Sequence, residues 1–241
     1  MALISEVSAI VPGEEFRVGL RIQHDEGFHT YWQNPGIVGI ATQLNWSLPE
    51  GFSAAPIQWP FPEKVDMAGH PAHGYHREVL LTVTMTPPAT LPSGEITLEA
   101  EAIWMACART CHPGQQKVSL TLPVASTSKP DPRTRPFFAR ADAELPKALA
   151  EWQAKLLTAP DATPIQLQLT PPDGWGGSPD SLYFFSTDGQ VSSDQEQAVA
   201  PGPNGSLLMT LQRSEFSPEG KTSLSGILSS NSTLGTISVR Y

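Results

Sequence analysis

The sequence predicts a mainly β protein: an immunoglobulin-like β-sandwich, then a short helical connector, then a second, smaller β domain. Three observations carry this prediction. Apolar and polar residues alternate along most of the chain, the signature of half-buried antiparallel strands. The 241 residues include 24 prolines and 19 glycines, which suit many short strands joined by turns better than long helices. One stretch alone, past residue 136, places its apolar residues at helical spacing.

The strands follow in order. Phe16, Val18, Leu20 and Ile22 point one way, and Arg17, Arg21 and Gln23 the other. The pattern recurs in Leu44/Trp46/Leu48, Val79/Leu81/Val83/Met85, Ile96/Leu98/Ala100/Ala102/Trp104 and Val118/Leu120/Leu122. About seven or eight strands are expected between residues 3 and 124, with turns such as Asn34-Pro35-Gly36 and Pro92-Ser93-Gly94, as an immunoglobulin-like sandwich requires. Residues 126–136 read as a polar, Pro-rich linker. Ala141, Leu145, Ala148, Leu149, Trp152 and Leu156 then share helical spacing, with Pro146 either in a first turn or splitting the helix in two. From about residue 163 the period returns to two, in Ile165/Leu167/Leu169, Leu207/Met209/Leu211, Leu224/Gly226/Leu228 and Ile237/Val239/Tyr241. The expected domains are 1–125 (sandwich), 126–160 (linker and helix) and 161–241 (second β domain). The last contains neither cysteine nor histidine, so any chemistry is expected in the first.

Composition removes several classes. A net charge of −9 and the lack of any basic run argue against nucleic acid, because phosphate contacts need clustered Lys and Arg. No apolar stretch approaches the roughly 20 residues of a membrane span. The start, Met1-Ala2-Leu3-Ile4-Ser5-Glu6, has neither a basic n-region nor an apolar h-region, so no signal peptide is expected. The Pro- and Gln-rich, Lys-poor composition points to a domain cut from a longer exported protein.

The only two cysteines stand four apart, in Trp104-Met105-Ala106-Cys107-Ala108-Arg109-Thr110-Cys111-His112-Pro113-Gly114. As a staple the pair would do little, since a loop of about five residues gains only about 2 kcal/mol in the chain-entropy model. On a straight strand residues four apart are about 13 Å apart, whereas a disulfide needs Cα atoms within about 4.4–6.8 Å. Any bond between them therefore requires a turn between two strands. Sulfurs in such a turn are open to an incoming thiolate, which thiol–disulfide exchange needs. Three uses stay open on these grounds: redox exchange, metal ligation and a plain structural disulfide. Arg109 and His112 are candidate modulators of a thiol by charge. Four histidines, His70, His73, His76 and His112, with Met67 and Met105, are ligand types that suit copper(I), so a copper-binding module is the alternative reading. The aromatic run Phe28-His29-Thr30-Tyr31-Trp32 is expected to fill the sandwich core and its end. A purely structural interaction domain is the bland alternative.

Four segments together carry a resemblance: Gly27-Phe28-His29-Thr30-Tyr31-Trp32-Gln33-Asn34-Pro35-Gly36, Ile57-Gln58-Trp59-Pro60, Gly74-Tyr75-His76-Arg77-Glu78-Val79-Leu80-Leu81 and the cysteine segment. Residues 3–124 resemble the N-terminal periplasmic domain of the DsbD family, including DsbD-like membrane reductases of the suppressor-of-copper-sensitivity type. The resemblance implies a periplasmic domain of an inner-membrane protein, tethered through transmembrane segments outside this sequence. It implies a protein-disulfide reductase activity: electrons arrive from a thioredoxin-like domain and pass to oxidised partners, with no cofactor beyond the sulfurs and no metal. Those partners would be a disulfide isomerase or thioredoxin-like proteins of cytochrome maturation or copper resistance. By position Cys111 matches the cysteine that forms the mixed disulfide and Cys107 the one that resolves it. Three residues separate the cysteines here, where the best-studied pattern has five. The family also shields its sulfurs with a mobile cap loop. The equivalent stretch is about 63–76, with Met67, Gly69, His70 and Tyr75 as the shielding residues and Gly74 as a further hinge.

Overall fold

The structure, a computed structural model, describes residues 1–232 and 234–241. Among these, ten strands precede one helix: β1 (Ala2–Ser5), β2 (Phe16–Gln23), β3 (His29–Gly36), β4 (Gln43–Ser47), β5 (Ser53–Ala54), β6 (Glu63–Met67), β7 (His70–His76), β8 (Glu78–Thr86), β9 (Glu95–Cys107) and β10 (Cys111–Pro123). After α1 (Arg135–Glu144) come β11 (Gln153–Leu156), β12 (Ile165–Thr170), β13 (Tyr183–Ser186), β14 (Ala198–Pro201), β15 (Leu207–Leu211), β16 (Ser223–Ser229) and β17 (Leu234–Arg240). The chain divides into two compact units. One comprises Met1–Trp32, Ile40–Glu63 and Gly74–Leu145; the other comprises Gln33–Gly39, Lys64–His73 and Pro146–Tyr241.

The first unit is an immunoglobulin-like sandwich. One sheet runs β1-β2-β8-β5, and the other sets β10-β9-β3-β7 side by side with β4 also on β9. Period-two alternation sends Phe16, Val18, Val83, Met85, Leu98 and Leu122 into the space between the sheets, where they bury together with Ile10. The expected strands are present, with two additions. A two-residue β5 pairs with β8, and the stretch 63–76, expected as a loop, is a hairpin of β6 and β7.

The helix differs from its expected position. It spans Arg135–Glu144 and ends before Leu145, whose ψ of 128° is extended. Pro146 is the reason: it has no N–H to continue the ladder, and its ring pushes the preceding residue out of the helical region. Leu149 and Trp152, read as helical, instead pack into the core of the second unit, and Leu156 lies on β11. The helix itself covers the outer face of β8, where Phe138 and Ala141 bury Leu80. Arg17 and Arg21, which alternation places on the outward face, cross this helix: the Arg21 guanidinium lies 4.2 Å above the Phe137 ring, and Arg17 pairs with Glu6 and Asp142.

The second unit contains two smaller sheets, β11-β12-β15-β14 and β13-β16-β17. Their inward residues, Ile165, Leu167, Leu169, Leu207, Met209 and Leu211 on one side and Phe184, Leu224, Leu228 and Ile237 on the other, make one apolar core.

Candidate functional site

β9 and β10 form a long antiparallel hairpin in unbroken register from Glu95↔Pro123 to Cys107↔Cys111. The cysteines therefore stand directly opposite each other at its tip, flanking the three-residue turn Ala108-Arg109-Thr110, and they are joined as a disulfide with Cα atoms 4.2 Å apart. The expected turn between two strands is what brings them together. Trp104 lies across the ladder from Gly114, and a Cβ on that glycine would meet the Trp104 ring at 2.5 Å. The absent side chain thus makes room for the indole that packs the hairpin just below the disulfide.

The two sulfurs are unequal. Cys107 is fully buried, at 0% exposure, while Cys111 is half-buried. Alternation puts Cys107 on the face away from Leu98, Ala100 and Ala102, and the strand across from it there is β3, with His29 in register with Cys107. His29 and Tyr31, two apart, share that face. The Tyr31 hydroxyl lies 3.9 Å from the Cys111 Sγ. Burial pushes the Tyr31 pKa up, so the hydroxyl keeps its proton and can donate to a thiolate. His29 is 1% exposed and meets the Tyr31 ring edge-on at 5.1 Å and the His76 ring at 5.5 Å. His76 Nδ1 lies 3.0 Å from the Glu63 Oε2. A carboxylate, two imidazoles and a phenol thus form a row of contacts within one unit that ends at the disulfide.

Beside this row is a cavity of about 530 Å³, lined by His24, Asp25, Glu26, Phe28, His76 and Arg77 among others. His24 is held there by the Arg77 carbonyl and the Thr30 hydroxyl, and burial lowers its pKa. The acidic pair at 25 and 26 sits in the loop before β3.

The other expected site residues fall as follows. Arg109 is exposed in the turn. His112 is exposed, its Nε2 3.0 Å from the Thr110 hydroxyl and its ring 5.9 Å from Phe28; one position past Cys111, it lies on the opposite face of the strand. Met67, Gly69 and His70 belong to the second unit, at the tip of the β6–β7 hairpin. That tip is a two-residue turn: Ala68 and Gly69 both have positive φ, 53° and 91°, and the Gly69 N–H donates to the Asp66 carboxylate. The stretch is therefore not an irregular loop. Tyr75 is 5% exposed in β7, and its hydroxyl donates to the Pro60 carbonyl at 2.7 Å. Gly74, the other expected hinge, is buried in the same strand.

The histidine ligand set is not assembled. Residues three apart on a strand alternate faces, so His73 is turned away from His70 and His76. His73 is buried against Tyr183 and Phe185, with Nε2 3.0 Å from the Tyr183 hydroxyl. Among the described residues, no group of three or more His, Cys, Asp or Glu side chains is placed to hold a metal ion. The sequence reading missed His29 and Tyr31 as neighbours of the sulfurs, and Glu63 as the partner of His76. The only local signal was the two-residue spacing of His29 and Tyr31, which names a shared face but not the strand opposite.

Comparison with known proteins follows the same lines. The profile of the family described as thiol:disulfide interchange protein DsbD, N-terminal, matches residues 2–123. Among solved structures, the N-terminal periplasmic domain of ScsB from Proteus mirabilis superposes with a TM-score of 0.69 at 16% identity, covering 99% of this chain and 90% of that one. The major pilin subunit BcpA of Bacillus cereus reaches a TM-score of only 0.30 at 10% identity, over 100% of this chain and 66% of that one. No curated protein sequence matches the chain.

Proposed function

The chain belongs, through residues 2–123, to the family of DsbD N-terminal domains, and from that premise we propose that it is the periplasmic electron-carrying domain of a DsbD-like membrane reductase. A thioredoxin-like domain reduces Cys107–Cys111, and the dithiol then reduces disulfides of periplasmic partners, thioredoxin-like proteins of isomerase, cytochrome-maturation or copper-resistance type. The observation that carries the reading is the unequal burial of the two sulfurs. A partner thiolate must approach along the sulfur–sulfur axis, and the half-buried Cys111 is the end that can be approached. Cys111 accordingly forms the mixed disulfide and Cys107, behind it, resolves the bond. Arg109, exposed in the turn, adds positive charge on the partner side. Periplasmic placement is supported by the family and by the kinship of fold with a periplasmic domain. Among the described residues, no helix is long and apolar enough to cross a membrane.

The test is the reduction potential of the pair, read by alkylation after equilibration in glutathione or dithiothreitol buffers. A value of roughly −180 to −270 mV, with both redox forms folded, is expected of an exchange site. A value below about −300 mV with unfolding on reduction would make the bond structural and overturn the proposal.

A further inference from the structure

The resolving step poses a problem that the geometry answers. Cys107 must be a thiolate to attack, yet it is fully buried, so its proton needs an acceptor within the fold. We propose that His29 is the base that takes the Cys107 proton, and that His76 with Glu63 carries that proton on to solvent. The proposal rests on the exchange reading above and assigns its proton path.

Geometry supports each link. His29 and Cys107 are register partners on one face of paired strands, a relation that sets Cβ atoms about 4.5–5.5 Å apart. The His29 ring touches that of His76 edge-on, with centroids 5.5 Å apart. His76 is half-buried and Glu63 is exposed, so the far end of the row meets water. The Glu63 carboxylate lies 3.0 Å from His76 Nδ1, so a proton that reaches His76 meets an acceptor at the exposed end of the row. The remaining titratable groups around the row are Tyr31 on the same strand, whose hydroxyl faces Cys111, and His24 and Asp25 before it.

The step balances. With the partner bound as Cys111–S–S–R, His29 accepts the Cys107 proton and the Cys107 thiolate attacks the Cys111 sulfur. The Cys107–Cys111 bond forms, the bond to the partner breaks, and the partner leaves as a thiolate that takes a proton from water. Cys107 and Cys111 are oxidised and the partner disulfide is reduced. His29 then returns to neutral by passing its proton to His76 and the solvent.

A positioned base contributes about 10²–10⁴-fold. The experiment uses the reduced full chain and a model protein disulfide, following mixed-disulfide formation and its resolution separately by acid quench and mass. His29→Gln is expected to slow resolution at least tenfold with formation little changed, so that the mixed disulfide accumulates. It is also expected to remove the imidazole limb from the pH profile of resolution. Should His29→Gln fail to fold, His76→Gln and Glu63→Gln, at the outer end, are expected to slow resolution several-fold and shift the same limb. Resolution rates and pH profiles that match wild type in every folded variant would overturn the proton path while leaving the exchange function standing. If wild type forms no mixed disulfide at all, the exchange reading itself fails.

Discussion

His73 and His76 lie three residues apart on one strand and meet opposite fates. His73 is 2% exposed, its ring between Tyr183 and Phe185 in the second unit, and burial holds its pKa down at about 4. Its hydrogen bonds to the Asn34 carbonyl and the Tyr183 hydroxyl fix it as a neutral packing element. His76 is half-buried in the first unit, bonded to a carboxylate and edge-on to a second imidazole beside the disulfide. One residue type on one strand thus builds a core in one unit and a protonic row in the other. Its surroundings, and not its identity, set the chemistry. Apolar side chains fill the core of each unit, with Trp152 in the second; what sets the first apart is that β3 buries His29, Thr30, Tyr31 and Trp32 in succession.

The comparison breaks most visibly at the sulfurs. Cys111→Ser is expected to abolish mixed-disulfide formation, and Cys107→Ser to trap it, on non-reducing gels with a partner disulfide. A folded His73→Gln protein is expected to keep full exchange, and its loss there would erase the distinction between the two histidines.

The next largest effect is on stability. His73 stays neutral in the folded protein, whereas in the unfolded chain it protonates near its ordinary 6.5. The unfolded state therefore binds the proton first as the pH falls. Stability from this group is fully present above about pH 6.5 and lost toward pH 4, by an amount on the order of 3 kcal/mol. Urea unfolding read by the Trp152–Trp175 pair of the second unit at pH 7 and pH 4.5 should show this loss. His73→Gln should be less stable at pH 7 but with a flatter dependence. An equally steep dependence in the variant would place the acid sensitivity elsewhere.

A smaller effect is expected on reducing the disulfide. It closes so short a loop that its loss costs about 2 kcal/mol or less, and thermal unfolding with and without reductant should find both forms folded. Smallest is His76→Gln, where an exposed pair is removed: a change within about 1 kcal/mol is expected by chemical denaturation, against a larger loss for His73→Gln at pH 7. Equal losses would mean that both histidines are structural.

Much of this was legible before any fold was known. Period-two runs located the strands, and the four-residue spacing of the cysteines required a turn between two of them. The helix was legible only in part: Ala141 falls within it, but Leu149, Trp152 and Leu156 continued its spacing past Pro146, where the backbone cannot follow. The stretch 63–76 is expected as a loop because the family it resembles carries a cap loop there and because Gly69, Pro71 and Gly74 read as breakers. Ala68 and Gly69 in fact close a tight hairpin.

What the sequence determined by itself is local: alternating faces, turn chemistry, a turn between the two cysteines and the family those motifs mark. What the tertiary structure alone decided is which strand lies across from it. Tyr31 and Cys111 are 80 residues apart, and His29 reaches Cys107 only through pairing of β3 with the end of β9. Alternation states which residues share a face but not which strand pairs with which. That choice is made by burying all the apolar faces at once, and so the base beside the resolving sulfur becomes visible only when the sheets are assembled.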